Sequence, residues 1–159
     1  MFIKQAKLID AKFIYHVVNI SRKYGHFTKT KPLNYKAHIV WFKKKLDLNK
    51  DRIYLAYHDK KKLGYIRFDF ISKGLFEISL ALLPKYFGKN FGTKMLSYSV
   101  AKFKEKFKLI KIVAKVKKHN KRSQKFFIKN GFKNIRYCKK VFKKLISYNK
   151  YVFYKLNIV

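Results

Sequence analysis

Three consecutive β-rich segments, joined by short turns, constrain the fold of this chain more than any other feature of its sequence. They are RIYLAYH (52–58), KLGYIRFDFI (62–71) and LFEISLALL (75–83), with DKKK and SKG between them. Turns of this length join antiparallel neighbours, because a connection between parallel strands needs about a dozen residues or more. The sequence therefore predicts an antiparallel meander.

Helical and extended patterns alternate before the meander. A strand over 2–9 precedes a helix over 10–22, for which Asp10 is the expected N-cap. A second helix, YKAHIVWFKKKL, follows the expected N-cap Asn34. The residues of this second helix that we expect to face inward are Ala37, Val40, Trp41 and Phe42.

The pattern after the meander completes the order of elements. The predicted elements are a helix over about 90–107, a strand over 109–116, a helix over 121–130, and β-rich stretches over about 133–142 and 149–158. Asn120 is the expected N-cap of the shorter helix, and Gly131 ends it. The predicted order is β-α-α-β-β-β-α-β-α-β-β.

The composition is that of one folded domain. At 159 residues, 48% hydrophobic and 18% aromatic, the chain can build a single core over 1–159. Its one cysteine, Cys138, excludes an internal disulfide framework and a Cys-rich zinc site, and we expect it in a buried strand. The N-terminal residues lack the apolar core of a signal peptide, and no window reaches the roughly 18 apolar residues of a membrane span. These features favour a cytoplasmic protein that does not insert into membranes.

The formal net charge of +34 points either to a polyanionic partner or to compositional drift. Of the 41 basic residues only five are arginines, and the lysines are spread along the whole chain. Base-specific readers of nucleic acid depend on the bidentate arginine fork, so the scarcity of arginine favours drift. Weak, nonspecific binding of polyanions is still expected at this charge.

The segment PKYFGKNFGTKML (84–96) connects the meander to the long helix and carries two glycines, Gly88 and Gly92. Glycines at this point let backbone N–H groups turn toward one place, and the helix N-terminus adds its positive end, which suits a pyrophosphate. The segment is not a Walker A loop, because three residues separate the glycines and Thr93 precedes Lys94. Taken alone, it is equally compatible with a plain strand–helix turn.

Two segments carry motifs that must be read together. The first is EISLALLP with YFGKNFG and the following helix, and the second is IVAKVKKHNKRSQKFFIKNGF (111–132), a strand followed by Asn-x-x-Ser, an aromatic residue and Gly-Phe. In this order they resemble the GNAT family of N-acetyltransferases, the first being similar to that family's acetyl-CoA-binding motif and the second to its later strand and helix. The resemblance implies an α/β (α+β) fold with a mixed, largely antiparallel central sheet flanked by helices. It also implies an acetyl-CoA-dependent N-acetyltransferase that needs no metal.

The N-terminal third resembles one branch of the family more closely. HIVWF (38–42) and GYIRFD (64–69) are similar to segments of the branch that acetylates nucleotide-linked amino sugars, as in pseudaminic-acid-type synthesis. The implied partner is a small-molecule amine acceptor of this kind, and the expected assembly is a monomer or a homodimer. The alternatives are acetylation of a protein N-terminus or a ribosomal protein, and a catalytically weak GNAT fold that binds polyanions or nucleic acid.

The resemblance also assigns cofactor-binding residues. The loop residues expected at the pyrophosphate are Phe87, Gly88, Lys89, Asn90, Phe91, Gly92 and Thr93. An N–H near Leu82 would polarise the thioester carbonyl, and Asn120, Ser123 and Phe127 would line the pantetheine and sulfur end.

Three of these residues depart from the family pattern. Phe87 replaces a Gln or Arg that would donate to phosphate, with Lys85, Lys89 and Lys94 as the expected replacement charges. Asn90 occupies the position where the family usually has a glycine, although asparagine tolerates left-handed backbone. Phe127 stands where the family often has a tyrosine acid.

Two residues are candidates for the base that takes a proton from the amine. Glu77 lies on the strand before the loop, and it is otherwise a cross-strand partner for a lysine. His38 has a suitable ordinary pKa of about 6.5, and it is otherwise a packed histidine. The expected acceptor-binding residues are Trp41, Arg67 and Asp69, although Trp41 also suits the core and the other two can simply pair with each other.

Overall fold

The computed structural model describes residues 1–24, 31–48, 52–107, 110–135 and 150–158. The elements in chain order are β1 (Phe2–Gln5), α1 (Ala11–Lys23), α2 (Tyr35–Asp47), β2 (Arg52–His58), β3 (Lys61–Ser72), β4 (Leu75–Leu82), α3 (Phe91–Lys104), β5 (Ile110–Lys117), α4 (Lys121–Lys129), β6 (Lys133–Ile135) and β7 (Tyr151–Ile158). The predicted order of strands and helices is confirmed.

The strands in the described ranges form one seven-stranded sheet in the order β1-β2-β3-β4-β5-β7-β6. All neighbours are antiparallel except β4 and β5, which are parallel. The predicted meander is β2-β3-β4. Its first turn uses Asp59 and Lys60 at φ +48° and +59°, the backbone that suits the twist of a two-residue hairpin.

Helices cover both faces of the sheet, and each pair of helices has its own part of the core. On one face, α1 and α2 place Ile14, Val17 and Phe42 against Leu55 and Tyr65. On the other face, α3 packs Met95 and Phe103 against strand residues such as Phe68 and Phe76. The rings of Phe68 and Phe103 are stacked with centroids 4.4 Å apart. The α/β fold with helices flanking a largely antiparallel sheet is therefore as predicted.

The first strand is shorter than predicted, because Asp10 turns the chain earlier. The Asp10 carboxylate accepts the Lys7 N–H at 2.9 Å and the Lys62 ammonium at 2.7 Å. These bonds hold a short 3-10 turn, Leu8–Asp10, in place of the last residues of the predicted strand. Asp10 does precede α1, but its side chain makes no capping bond to that helix.

The inward face of α2 differs from the prediction. Asn34 caps the helix as expected, since its Oδ1 accepts the Ala37 N–H at 3.0 Å. The prediction that Ala37 and Val40 face inward is wrong, because both are exposed. The buried stripe is His38 and Phe42, four residues apart, because this helix contacts its neighbours along a narrow face only.

The remaining differences concern the ends of elements. α3 begins one residue later than predicted and ends at Lys104. Of the β-rich stretches at 133–142 and 149–158, the structure describes 133–135 and 150–158, so Cys138 lies outside the described residues. None of the helices in the described ranges is long and apolar enough to cross a membrane.

The sheet opens where its two parallel strands part. The register of β4 and β5 runs from Leu75 opposite Lys111 to Ile78 opposite Ala114. Beyond that point, among the strands that the structure describes, β4 pairs with β3 alone and β5 pairs with β7 alone. Gly64 holds β3 close to the end of β4, since a Cβ there would lie 2.1 Å from the Ala81 carbonyl oxygen.

Candidate active site

A cavity of about 730 Å³ lies where β4 and β5 part. The half of the cavity that we call the inner half is lined by residues of α1, of α2 and of the sheet face that these helices cover. The half that we call the outer half is lined by the loop before α3, by the start of α3 and by α4. Of the predicted site residues, those lining the cavity are His38, Trp41, Arg67, Glu77, Leu82, Phe87, Gly88, Asn90, Phe91, Gly92, Thr93, Asn120, Ser123 and Phe127. Lys89 and Asp69 do not line it.

The loop in the outer half presents unused backbone N–H groups. Within the described residues, the N–H groups of 88–93 donate to no other backbone group, whereas the Phe87 N–H donates to the Pro84 carbonyl at 3.0 Å. The first backbone bond of α3 runs from Lys94 to Asn90, as expected when the first turn of a helix has no internal partners. The backbone amides without an internal partner therefore begin at Gly88.

Left-handed backbone at two positions shapes this loop. Gly88 has φ +76° with nothing within 4 Å of the place where a Cβ would stand. Asn90 has φ +58° and ψ +6°, which is the left-handed region that favours glycine. Asparagine is one of the few other residue types that enter this region readily.

Replacing Asn90 tests this conformation. Asparagine tolerates left-handed backbone, whereas a β-branched residue meets its full cost of roughly 1–2 kcal/mol, so we expect Asn90→Val to lower the free energy of unfolding by about 1 kcal/mol. Asn90→Gly is expected to leave it unchanged or raise it, since glycine meets no such cost. Urea denaturation of the three proteins measures the difference, and equal stability of the valine and glycine variants would contradict it.

Asn120 fixes the start of α4 and keeps donors for the cavity. Its Oδ1 accepts the Ser123 N–H at 3.1 Å, and the residue is buried at 8% exposure. Among the described residues its Nδ2 group makes no hydrogen bond, so this cavity-lining residue keeps two N–H donors available. The neighbouring Phe127 packs against Phe132 and Tyr154 and brings an apolar ring to the same wall.

Glu77 lies in the inner half on β4, opposite Asp69 of β3. Burial raises the pKa of the Glu77 carboxyl, and the Asp69 charge raises it further, against the lowering influence of Lys115, Arg67 and Lys45. Within the described residues Glu77 makes no hydrogen bond or ion pair. It is therefore a carboxylate held in the cavity without a structural partner.

His38 also lies in the inner half, at 2% exposure. Its Nε2 lies 3.0 Å from the Ala11 carbonyl oxygen, and the ring packs against Tyr15, Trp41 and Phe42. Burial lowers the pKa of His38. A neutral ring that donates from Nε2 to this carbonyl keeps Nδ1 as its one acceptor.

A charged network borders the inner half. Arg67 donates from Nε to Asp69 Oδ2 at 2.7 Å, and Lys45 Nζ lies 2.8 Å from Asp69 Oδ1. The Arg67 guanidinium also lies 5.0 Å from the centroid of Trp41. Arg67 and Trp41 therefore form one wall, with Asp69 behind it as the partner that orients Arg67.

Sequence reasoning missed several cavity residues. They are, among others, Arg22, Tyr65, Ser79, Tyr86, Lys115, Lys117, Arg122, Phe126 and Lys129. The alternation of β3 and β4 is a signal for Tyr65 and Ser79, because they share a face with Arg67 and Glu77. No comparable signal marks Arg22, whose buried Nε has no partner in the described part of the chain. Burial raises the pKa of Tyr65 to about 12.

The site combines two chemical features, an anion-binding loop and a carboxylate. Unused amides at a helix start suit phosphate groups, and the parted strands lead from them toward a chamber that holds the partly buried Glu77 carboxylate. Among the described residues, no three His, Cys, Asp or Glu side chains come together as a metal site. Together the fold and the site define a CoA-dependent acyltransferase.

A comparison with models of protein families gives the same class of enzyme. The sequence model of the acetyltransferase (GNAT) family matches residues 14–132, so the chain belongs to this family. It is an N-acetyltransferase that takes its acetyl group from acetyl-CoA. A search of curated proteins gave no match.

Solved structures share the fold at low sequence identity. Ribosomal-protein-alanine N-acetyltransferase from Brucella melitensis is 14% identical with a TM-score of 0.81, over 99% of this chain and 100% of that one. Phosphinothricin acetyltransferase from Sinorhizobium meliloti, in complex with acetyl-CoA, is 17% identical with a TM-score of 0.79, over 98% and 87%. A variant of spermidine N-acetyltransferase from Vibrio cholerae is 16% identical with a TM-score of 0.76, over 100% and 95%.

Proposed function

We propose that this enzyme acetylates the primary amine of a small acceptor that also carries negative charge, a nucleotide-linked amino sugar being the leading candidate. The observation that carries the proposal is the charge of the cavity. Among the described residues that line it are six lysine and arginine side chains but one carboxylate, Glu77. HIVWF and GYIRFD, the segments similar to amino-sugar enzymes, contribute His38, Trp41, Tyr65 and Arg67 to its inner half.

Acetyl-CoA fits the outer half on the chemistry of its residues. The N–H groups of 88–93 suit the pyrophosphate, and the side chains of Asn120, Ser123 and Phe127 suit the pantetheine arm and sulfur end. When bound, acetyl-CoA supplies the acetyl group as a thioester, and the amine attacks it directly in a ternary complex. The C–N bond forms as the C–S bond breaks.

The N–H of Leu82 is the proposed donor to the thioester oxygen. Leu83 donates its N–H to the Leu63 carbonyl on β3 at 2.8 Å. Since successive N–H groups of a strand point to opposite sides, the Leu82 N–H points away from β3, into the opening between β4 and β5. A fixed donor there stabilises the negative charge that develops on the oxygen.

Proton transfer is assigned to Glu77 and sulfur stabilisation to Asn120. The raised pKa of the Glu77 carboxyl suits a base, because it accepts a proton more readily than an ordinary carboxylate. The Nδ2 donors of Asn120 take over part of the role that a tyrosine would have at Phe127, by donating toward the departing sulfur.

The inner half favours acceptors with an anionic group near the amine. Arg22, Arg67 and Lys115 line it together with Glu77. Such surroundings lower the pKa of an acceptor amine, which promotes the neutral form that attacks, and they bind a phosphate or carboxylate of the same molecule. A polycation such as spermidine gains neither advantage.

Calorimetry of acetyl-CoA binding at low and high salt tests the cofactor assignment, with polyphosphate as the control ligand. A chain of net charge +34 binds any polyanion at low salt, so the high-salt measurement decides. We expect one acetyl-CoA to bind per chain and to survive high salt. Binding that disappears with salt and does not prefer acetyl-CoA to polyphosphate would leave a polyanion-binding protein.

An acceptor screen tests the second half of the proposal. Amino-sugar nucleotides are expected to give the highest kcat/KM, followed by zwitterionic amino acids, with spermidine and peptides beginning in alanine far below. A preference for spermidine would overturn the anionic-acceptor proposal, and a preference for the peptide would replace it with protein N-terminal acetylation.

A further inference from the structure

The second residue of α4, Arg122, lies against the loop that precedes α3. Its guanidinium carbon is 3.8 Å from the centroid of the Phe87 ring, and both residues line the outer half of the cavity. Phe87 follows β4 and Arg122 follows β5, the two strands that part to form the cavity. The contact therefore bridges the two sides of the opening beside the free amides.

Stacking on Phe87 orients Arg122 without using its donors. A guanidinium that lies over a ring contacts it through its flat face, which leaves the N–H groups at its edge free. Within the described residues Arg122 makes no hydrogen bond or ion pair, and its side chain is exposed. The structure thus holds a planar, bidentate donor at the mouth of the cavity.

The position of Arg122 is unfavourable without an anion. It lies in the first turn of α4, where the helix dipole is positive, next to Lys121 and with no acidic residue in that turn. The nearest lining carboxylate, Glu77, belongs to the inner half. A bound phosphate would satisfy the arginine and the neighbouring loop amides together.

We propose that Arg122, held flat by Phe87, binds a phosphate of acetyl-CoA and supplies the side-chain donor that position 87 lacks. This inference rests on the proposed cofactor site and adds a specificity-determining residue to it. It also gives Phe87 a role, since the ring serves as the platform for the arginine. The pyrophosphate and the 3′-phosphate have the same chemistry, and ligands lacking one or both distinguish them.

Calorimetry at high salt with Arg122→Gln and the matched control Lys121→Gln tests the proposal. Both variants lose one positive charge on the first turn of α4, but Lys121 is exposed and does not line the cavity. We expect Arg122→Gln to weaken acetyl-CoA binding roughly tenfold and Lys121→Gln to weaken it less than about twofold, because only the former breaks charge-assisted bonds to phosphate. Arg122→Lys and Phe87→Leu should lie between wild type and Arg122→Gln.

Three ligands identify the group that Arg122 contacts. S-acetylpantetheine, which lacks these phosphates, should bind wild type and Arg122→Gln equally. If Arg122→Gln still binds 3′-dephospho-acetyl-CoA more weakly than wild type does, the contact is with the pyrophosphate. If the two proteins bind this ligand equally, the contact is with the 3′-phosphate. Equal losses in the two glutamine variants, no loss in either, or a loss that extends to S-acetylpantetheine would overturn the proposal. Failure of wild type itself to bind acetyl-CoA would overturn the proposed function instead.

Discussion

Glu77→Gln is expected to lower kcat/KM by roughly 100-fold or more while making the folded protein more stable. The loss follows from the removal of a general base, which contributes about 10²–10⁴-fold in enzymes of known mechanism. The gain in stability follows from burial, which raises the pKa of the Glu77 carboxyl in the folded state. An uncharged amide of the same shape avoids the cost of burying that charge.

The sign of the stability effect follows from proton linkage. The folded state holds the Glu77 proton more tightly than the unfolded state does, so ionisation of this carboxyl destabilises the fold. Its unfavourable contribution is absent below the ordinary pKa of 4.5 and grows as the pH rises through the raised value. Thermal melts of wild type and Glu77→Gln should therefore agree at low pH and separate at neutral pH, with the glutamine variant melting higher.

The pH dependence of activity separates Glu77 from the other groups. In wild type, kcat/KM should rise with pH as Glu77 loses its proton, and this rise should be missing from Glu77→Gln. The ionisation of the acceptor amine affects both proteins alike. Glu105→Gln is the matched control, because Glu105 is exposed at the end of α3 and outside the cavity. Normal activity in Glu77→Gln with a large loss in His38→Gln would assign the base to His38.

Most of the fold was predictable because its signals are local. Two-residue alternation in β2, β3 and β4 and the caps at Asn34 and Asn120 specify elements without reference to distant residues. Val40 was misplaced because the width of a buried helix face depends on what packs against it. The early end of β1 depends on bonds of the Asp10 carboxylate to Lys7 and, far along the chain, to Lys62.

The candidate site was only partly predictable, for a related reason. The loop around Gly88 and Asn90 can be recognised from its own residues and its position between a strand and a helix. Arg22 and Arg122 reach the cavity through the packing of helices on the sheet, which no short segment encodes. The contact of Arg122 with Phe87 joins residues on opposite sides of the opening, so neither motif reveals it alone.

Gly92→Glu is expected to weaken acetyl-CoA binding by about 100-fold or more without unfolding the protein. A Cβ at Gly92 would lie 3.1 Å from Phe126 Cε2 and 3.8 Å from Leu82 Cδ1, so a longer side chain must extend between the two sides of the cavity. Its carboxylate would also occupy the first turn of α3, where the free amides suit a phosphate. Steric exclusion and charge repulsion therefore act together, and calorimetry at high salt measures the result.

Two control variants separate steric exclusion and local charge repulsion from a general effect of added negative charge. Gly92→Ala should bind nearly as well as wild type, because residue 92 is helical and the Phe126 ring can shift by a few tenths of an ångström. Ser97→Glu adds the same charge on an exposed position of α3 and should also bind normally. Circular dichroism should show all three variants folded. If Ser97→Glu weakened binding as much as Gly92→Glu, overall charge rather than the loop would govern affinity. Normal binding by Gly92→Glu would instead place the phosphates away from the start of α3.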